Sequence, residues 1–259
     1  MSGHSKWATI KRKKARTDAA RGKLFSRLTR EIIVAAREGG GDPDANTRLR
    51  TAIENARANN LPNDNIERAV KRGTGDLPGV EYEEASYELY APGGVAIIVE
   101  TLTDNRNRTV SEIRHIVTKY NGTMAEAGSV SWQFEKKGTF VVEAGTGEGE
   151  EEGREVDEDT LLEVVLEAGA EDLEAEDGLF YVTCPVEAFA AVRDALSEAG
   201  IGFRDAAISQ VPQNDLMLEP AQQGTALRIL EALEEQDDVQ NVWTNLDIQD
   251  DALDNPDPE

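Results

Sequence analysis

Hydrophobic positions along the chain change their period more than once. Leu24, Leu28, Ile32 and Ala35 recur at helical spacing, and Phe25 and Ile33 widen the stripe into an amphipathic helix. Gly39-Gly40-Gly41 ends it, because each glycine inside a helix costs about 1 kcal/mol relative to alanine. Asp42-Pro43 then reads as an N-cap followed by proline at the first helical position. It opens a second helix whose buried face is Leu49, Ala52, Ile53 and Ala56. The turn "NNLPND" at 59–64 leads into a third helix, capped by Asn63 or Asp64 and bearing Ile66, Ala69 and Val70. Lys71, Arg72 and Gly73 close it, cations in the last turn and glycine after.

After the linker "TGDLPG" at 74–79 the pattern alternates. "SYELYAPGGVAIIVETL" predicts two strands around Pro92-Gly93-Gly94. "NRTVSEIRHIVTKY" predicts a helix with Val110, Ile113, Ile116, Val117 and Tyr120 on the strands, and "GSVSWQFEKKG" at 128–138 a strand with Val130, Trp132 and Phe134 on one face. From Gly138, "TFVVEA", "DTLLEVVLEAG", "DLEAE", "LFYVTCP", "VEAFAAVRDALSEAG" and "AAISQVP" spell β-α-β-β-α-β, the ferredoxin-like order. "DLMLEP", the helix "TALRILEALEEQ" and the strand "VQNVWTNLDI" then supply what the strand-strand-helix-strand set before that unit lacks.

The fold class expected is α+β multidomain: an N-terminal three-helix domain with a basic arm, then two ferredoxin-like α+β domains, one inserted in the other. The boundaries are 1–79, 80–136 plus 212–249, and 137–211, with an acidic, disordered tail at 250–259. Two consecutive domains with the last helix and strand appended is the alternative.

Charge divides by position. The 259 residues carry a formal net charge of -24. Residues 1–75 hold 17 Lys/Arg against 8 Asp/Glu, a net +9, while the remainder holds 10 against 43, a net −33. The basic part is where a polyanion would bind, and the acidic part repels one. Arg outnumbers Lys by 18 to 9, and the dense carboxylates resemble proteins adapted to high salt; an acidic mesophilic protein is the other reading. No apolar run spans a bilayer and no secretory h-region opens the chain, so neither membrane nor secretion is expected. A basic, acid-poor start also suits an organellar transit peptide, but this one is neither Ser-rich nor amphipathic. A single cysteine, Cys184, suits a reducing cytoplasm.

The first 30 residues carry ten cations and one acid, Asp18. Lys6, Lys11, Arg12, Lys13, Lys14, Arg16, Arg21, Lys23, Arg27 and Arg30 form an array that binds phosphate backbones by counterion release, with Trp7 offering a face for a base. A solvated tail with Trp7 tucked against the helices is the bland counterpart. Asn63, Asn65, Arg68, Lys71 and Arg72 would face a groove if helices two and three form a helix-turn-helix, and water if they belong to a plain bundle. "LTDNRNRT" at 102–109 runs from a strand into a helix start. There Asp104 or Asn105 caps the helix, and Asn105, Arg106 and Arg108 make a secondary anion site or simply a cap with two solvated arginines.

No Walker loop, nucleophile elbow, Cys-x-x-Cys or His-Glu-x-x-His occurs, and the two histidines, His4 and His115, leave little for catalysis. The acidic run 143–159 reads as a solvated loop, not a metal site. No enzyme, cofactor or metal is expected, and a monomer is favoured.

Five stretches in order, "GHSKWATIKRKKA", "REIIVAAREGGGDPDANTRLRTAIENARANNLPNDNIERAVKRGTG", "LTDNRNRT", "GSVSWQFEKKG" and "DDVQNVWTN", resemble the YebC/PmpR family, which includes the mitochondrial translational activator of cytochrome c oxidase. The resemblance covers nearly the whole chain. It implies a three-domain fold, helical first and α+β after, and a cytoplasmic DNA-binding transcriptional regulator. A second picture of the family implies a ribosome-associated factor that binds ribosomal RNA and relieves stalling at proline-rich stretches. The residues alone lean slightly to RNA, since an extended arm with one aromatic suits irregular RNA. The acidic 143–159 loop and the extreme charge depart from the family pattern.

Overall fold

A computed structural model describes residues 18–144, 156–176 and 178–248. The chain is α+β, and its described residues divide into two compact units: those through Glu135 together with those from Pro212 on, and Lys136–Val211.

The first unit opens with three helices, α1 (Asp18–Gly39), α2 (Thr47–Ala58) and α3 (Asn63–Gly73). Their apolar faces close on a core of Ile32, Ile33, Leu49, Ile53, Leu61 and Ile66. Asn46 fixes the angle between α1 and α2. Its side-chain oxygen accepts from the Leu49 N–H at 3.0 Å, while its Nδ2 donates to the Ala35 and Gly40 carbonyls at 2.8 and 2.9 Å. One buried amide thus satisfies orphan groups at the end of one helix and the start of the next. A Cβ on Gly39 would stand 2.5 Å from that amide, which is why glycine is needed there.

The expected start at Asp42-Pro43 is therefore corrected. Residues 43–45 form a turn, with Asp42 Oδ1 accepting from the Asp44 N–H, and Asn46 caps α2. The expected cap of the third helix by Asn63 or Asp64 is corrected too: it has no side-chain cap, Pro62 holds the N-cap position, and its carbonyl accepts from Asn65 and Ile66.

Strands β1 (Glu83–Ala91) and β2 (Val95–Thr103) form an antiparallel hairpin across Pro92-Gly93-Gly94. Helix α4 (Arg106–Lys119), β3 (Thr123–Met124), and later α7 (Pro220–Glu234) and β9 (Val239–Thr244) complete a sheet of order β3-β1-β2-β9. Both helices cover one face, burying Leu89, Ile97, Val99, Ile113, Leu230 and Leu233. Ala96, Ile98 and Trp243 face the other side with Val130 and Phe134, so β2 is buried on both faces and reads as an apolar run. Short β8 (Leu216–Met217) and β10 (Leu246–Asp247) pair in parallel.

The expected strand at 128–138 begins only at Phe134. Ser131–Gln133 is a 3-10 turn, and it breaks the alternation: Val130 and Phe134 are buried while Trp132 is 68% exposed. The Glu88 carboxylate holds this turn by accepting the N–H groups of Gly128 (2.7 Å), Val130 and Ser131 (3.1 Å).

The second unit takes up β4 (Phe134–Glu143) and runs through α5 (Glu158–Glu167), β5 (Asp172–Glu176), β6 (Leu179–Pro185), α6 (Phe189–Glu198) and β7 (Asp205–Pro212). Its sheet order is β5-β6-β4-β7, with β4 and β5 both antiparallel to β6. Phe140 stacks on Phe189 at 4.8 Å in its core beside Leu161, Val165 and Val182. Most of the acidic run 143–159, and the tail from residue 249, lie outside the described residues.

Candidate nucleic-acid interface

Of the eleven arm residues singled out, Lys6, Trp7, Lys11, Arg12, Lys13, Lys14 and Arg16 lie outside the described residues. Arg21, Lys23, Arg27 and Arg30 belong to α1, where Arg21 is exposed. Spacing of four and three residues puts Lys23, Arg27 and Arg30 on one helix face. That face meets the end of α7. Lys23 Nζ donates to the Glu235 carbonyl at 2.7 Å, Arg27 to the Glu234 carboxylate at 2.8 Å and to the Glu234 carbonyl, and Arg30 to the Asp237 carbonyl. A helix C-terminus leaves its last carbonyls without partners and carries partial negative charge, so cations are stabilised there. The Arg30 guanidinium also lies 5.6 Å from the Tyr82 ring centre. An open cleft of about 300 Å³ borders these cations, with Gly22, Ser26, Gln236 and Asp237 completing its wall.

Elsewhere in the helical part, Arg68, Lys71 and Arg72 are exposed on α3 with Asn63, and Asn65 is half-buried. Arg68 bonds back to its own helix, to the Asp64 carbonyl at 3.1 Å and Asn65 Oδ1 at 3.2 Å. Arg48 is fully engaged: its three nitrogens reach Glu31 (2.8 Å), Glu38 (2.6 Å) and Glu84 (2.5 Å). Burial pulls its pKa down, but the hydrogen bonds and charges of Glu31 and Glu84 raise it above the usual arginine value.

At the start of α4, Asn105 is the cap, accepting from the Arg108 N–H at 3.1 Å. The Arg108 guanidinium donates to Asp104 at 2.6 Å and Asp238 at 2.9 Å, so an anion reaching it would have to displace a carboxylate. Arg106 remains exposed beside it. Asp238 was not singled out in the sequence, where it is one of 51 acids; only the fold shows that it receives Arg108, Thr109 and Thr103. Burial alone would push its carboxyl up, yet the hydrogen bonds from Arg108 and Thr109 and the Arg108 charge bring it below the ordinary aspartate range.

Among the described residues no group of three or more His, Cys, Asp or Glu is placed to hold a metal ion, and no helix is long and apolar enough to cross a membrane.

Residues 5–76 match the family model described as "TACO1/YebC protein N-terminal domain", and 82–246 the one described as "TACO1/YebC second and third domain". The chain belongs to the TACO1/YebC family. Curated relatives in this family include a "Probable transcriptional regulatory protein" of Desulfatibacillum aliphaticivorans, 52% identical over 98% of this chain and 99% of the relative. Another of the same name, from Pelotomaculum thermopropionicum, is 51% identical over 96% and 100%. Among solved structures, a conserved hypothetical protein from Aquifex aeolicus aligns with a TM-score of 0.82 at 45% identity, covering 91% of this chain and 94% of that one. Both of these curated TACO1/YebC relatives carry a regulatory name, not an enzymatic one.

Proposed function

We propose that this chain is a cytoplasmic, DNA-binding transcriptional regulator that grips the nucleic-acid backbone through its basic N-terminal segment. One observation carries the reading: ten cations against a single acid in residues 1–30, in a molecule whose remaining part past residue 75 is net −33. Phosphate neutralisation and counterion release supply the affinity, and the acidic body is held off the duplex by its own charge. The name shared by relatives at about half identity supports regulation as the role. The β-α-β-β-α-β order of the second unit and its sheet order support a ferredoxin-like plait inserted into the first. The protein acts as a monomer in this reading, with no cofactor.

If the segment neutralises about six phosphates, log K falls by about 5 per tenfold rise in salt. Deleting residues 2–17, which leaves α1 to α7 intact, should abolish binding at low salt, and a filter or fluorescence titration reads this. Crosslinking in cells followed by sequencing of the bound nucleic acid decides the partner. Promoter DNA supports the proposal. Ribosomal RNA in the recovered pool would replace it by the translation-factor alternative.

A further inference from the structure

We propose that the C-terminal end of α7 is an intramolecular competitor of nucleic acid: it holds Lys23, Arg27 and Arg30 in the free protein and releases them when a polyanion is gripped along α1. The inference rests on the nucleic-acid reading of the basic segment. Its chemistry is that of a phosphate stand-in. Three carbonyl oxygens and one carboxylate oxygen, at the negative end of a helix, take the donors that a phosphate strand would take. The Arg27 fork, closed on the Glu234 carboxylate and carbonyl, is the donor arrangement that also grips phosphate.

Both sets of acceptors cannot be served at once. A phosphate entering the cleft would face Asp237 and the end of α7, and like charges disfavour that. The contact is also of a kind that yields. The helical core around Ile32, Leu49 and Ile53 shares no residue with the core under the sheet around Ile97 and Leu230. The bonds that span the two include, besides the four from the three cations at α7, Arg37 to the Tyr82 carbonyl at 2.6 Å and Arg48 to Glu84. Exposed polar seams are weakened by salt and competing ions more than apolar ones; the Arg27–Glu234 pair, 15% and 10% exposed, is screened less and yields to a competing anion. Finally, these three cations end the run of ten. A strand already held by the seven before them would reach Lys23, Arg27 and Arg30 next, at the high effective concentration that tethering gives.

The test uses the full chain and titrates a labelled duplex DNA and a labelled single-stranded RNA over a range of salt. Glu234→Gln removes the carboxylate on Arg27. A second variant, Ser26→Cys with Gln236→Cys, places two thiols on the cleft wall, and a short bis-maleimide joins them so that the contact stays closed. Cys184 is buried, with its thiol pushed up to about 11, and does not consume the reagent. Glu234→Gln should bind about fivefold tighter at about 0.15 M salt. On the duplex the joined protein should bind more weakly than the same variant left unjoined, its salt slope flatter by about 2.7, three contacts at about 0.9 each. If Glu234→Gln keeps wild-type affinity and the joined protein keeps the affinity and slope of its unjoined form, the contact is a fixed part of the fold and the inference falls alone. Failure of every form, wild type included, to bind either nucleic acid would take down the proposed function with it.

Discussion

Replacing Asp238 by alanine would empty a buried polar node that ties α4 to β2 and β9. Its side chain is 4% exposed, and Oδ2 accepts from Thr109 Oγ1 at 2.8 Å, Arg108 Nη2 at 2.9 Å and Thr103 Oγ1 at 3.2 Å. Thr103 and Thr109 are fully buried; without the carboxylate they keep each other, the Asn105 N–H that donates to Thr103 Oγ1 at 2.9 Å, and the Asn105 carbonyl. Losing a buried, charge-assisted acceptor of this kind costs about 3 kcal/mol. Asp238→Asn keeps the shape but not the charge and should cost about 1–2 kcal/mol.

The pH dependence has a definite sign. Because the folded carboxyl titrates below its unfolded value of about 3.9, its stabilisation is complete above that pH and disappears as pH falls through the folded value. The wild type should therefore lose its advantage over Asp238→Asn on acidification. Urea unfolding followed by tryptophan emission suits the question, since all three tryptophans, Trp7, Trp132 and Trp243, lie outside the second unit and Trp243 is buried on β9. A loss below about 1 kcal/mol for alanine, or parallel pH profiles for wild type and Asp238→Asn, would refute the reasoning.

Glu88→Gln should free the 3-10 turn at Ser131–Gln133 at a cost of about 1–2 kcal/mol, seen as faster hydrogen exchange at Gly128, Val130 and Ser131. Asn46→Ala removes the cap of α2 and the donor to the Ala35 and Gly40 carbonyls together, and should lower stability by about 2 kcal/mol in a helical circular-dichroism melt; a change within error would mean that water replaces the amide. Trp7→Ala should weaken nucleic-acid binding at high salt more than loss of any one lysine, because stacking survives screening; equal losses in a fluorescence titration would count against it.

The elements whose signals are local were legible in the residues. The stripe of α1, the glycines after it and the hairpin across Pro92-Gly93-Gly94 each follow from periodicity and turn chemistry within a few positions. Where reading failed, a distant residue decided. Asn46 outcompetes Asp42 as the cap because it also finds the Ala35 and Gly40 carbonyls left by α1, which no count within 42–47 could show. Trp132 leaves the face of Val130 and Phe134 because Glu88, some forty positions earlier, supplies an acceptor for three consecutive-turn amides. A period of two holds only while the backbone stays extended, and a carboxylate from β1 bends it here.

The same distinction governs the candidate interface. A cation's sign is written at its own position, so the clustering of ten in the first 30 residues is visible without any fold. What each cation faces is set by topology. Nothing near Lys23, Arg27 or Arg30 in sequence tells that the chain will bring residues 234–237 against them, more than two hundred positions later. Arg108 shows the same thing in the acidic part of the chain: it is paired with Asp104, four residues back, and with Asp238, 130 residues on. In a chain with 27 cations and 51 acids, an arginine that finds a carboxylate is the common outcome. In the reading proposed above, the three cations at α7 set how firmly α1 is held until a polyanion arrives, and the other seven of the ten supply the first grip.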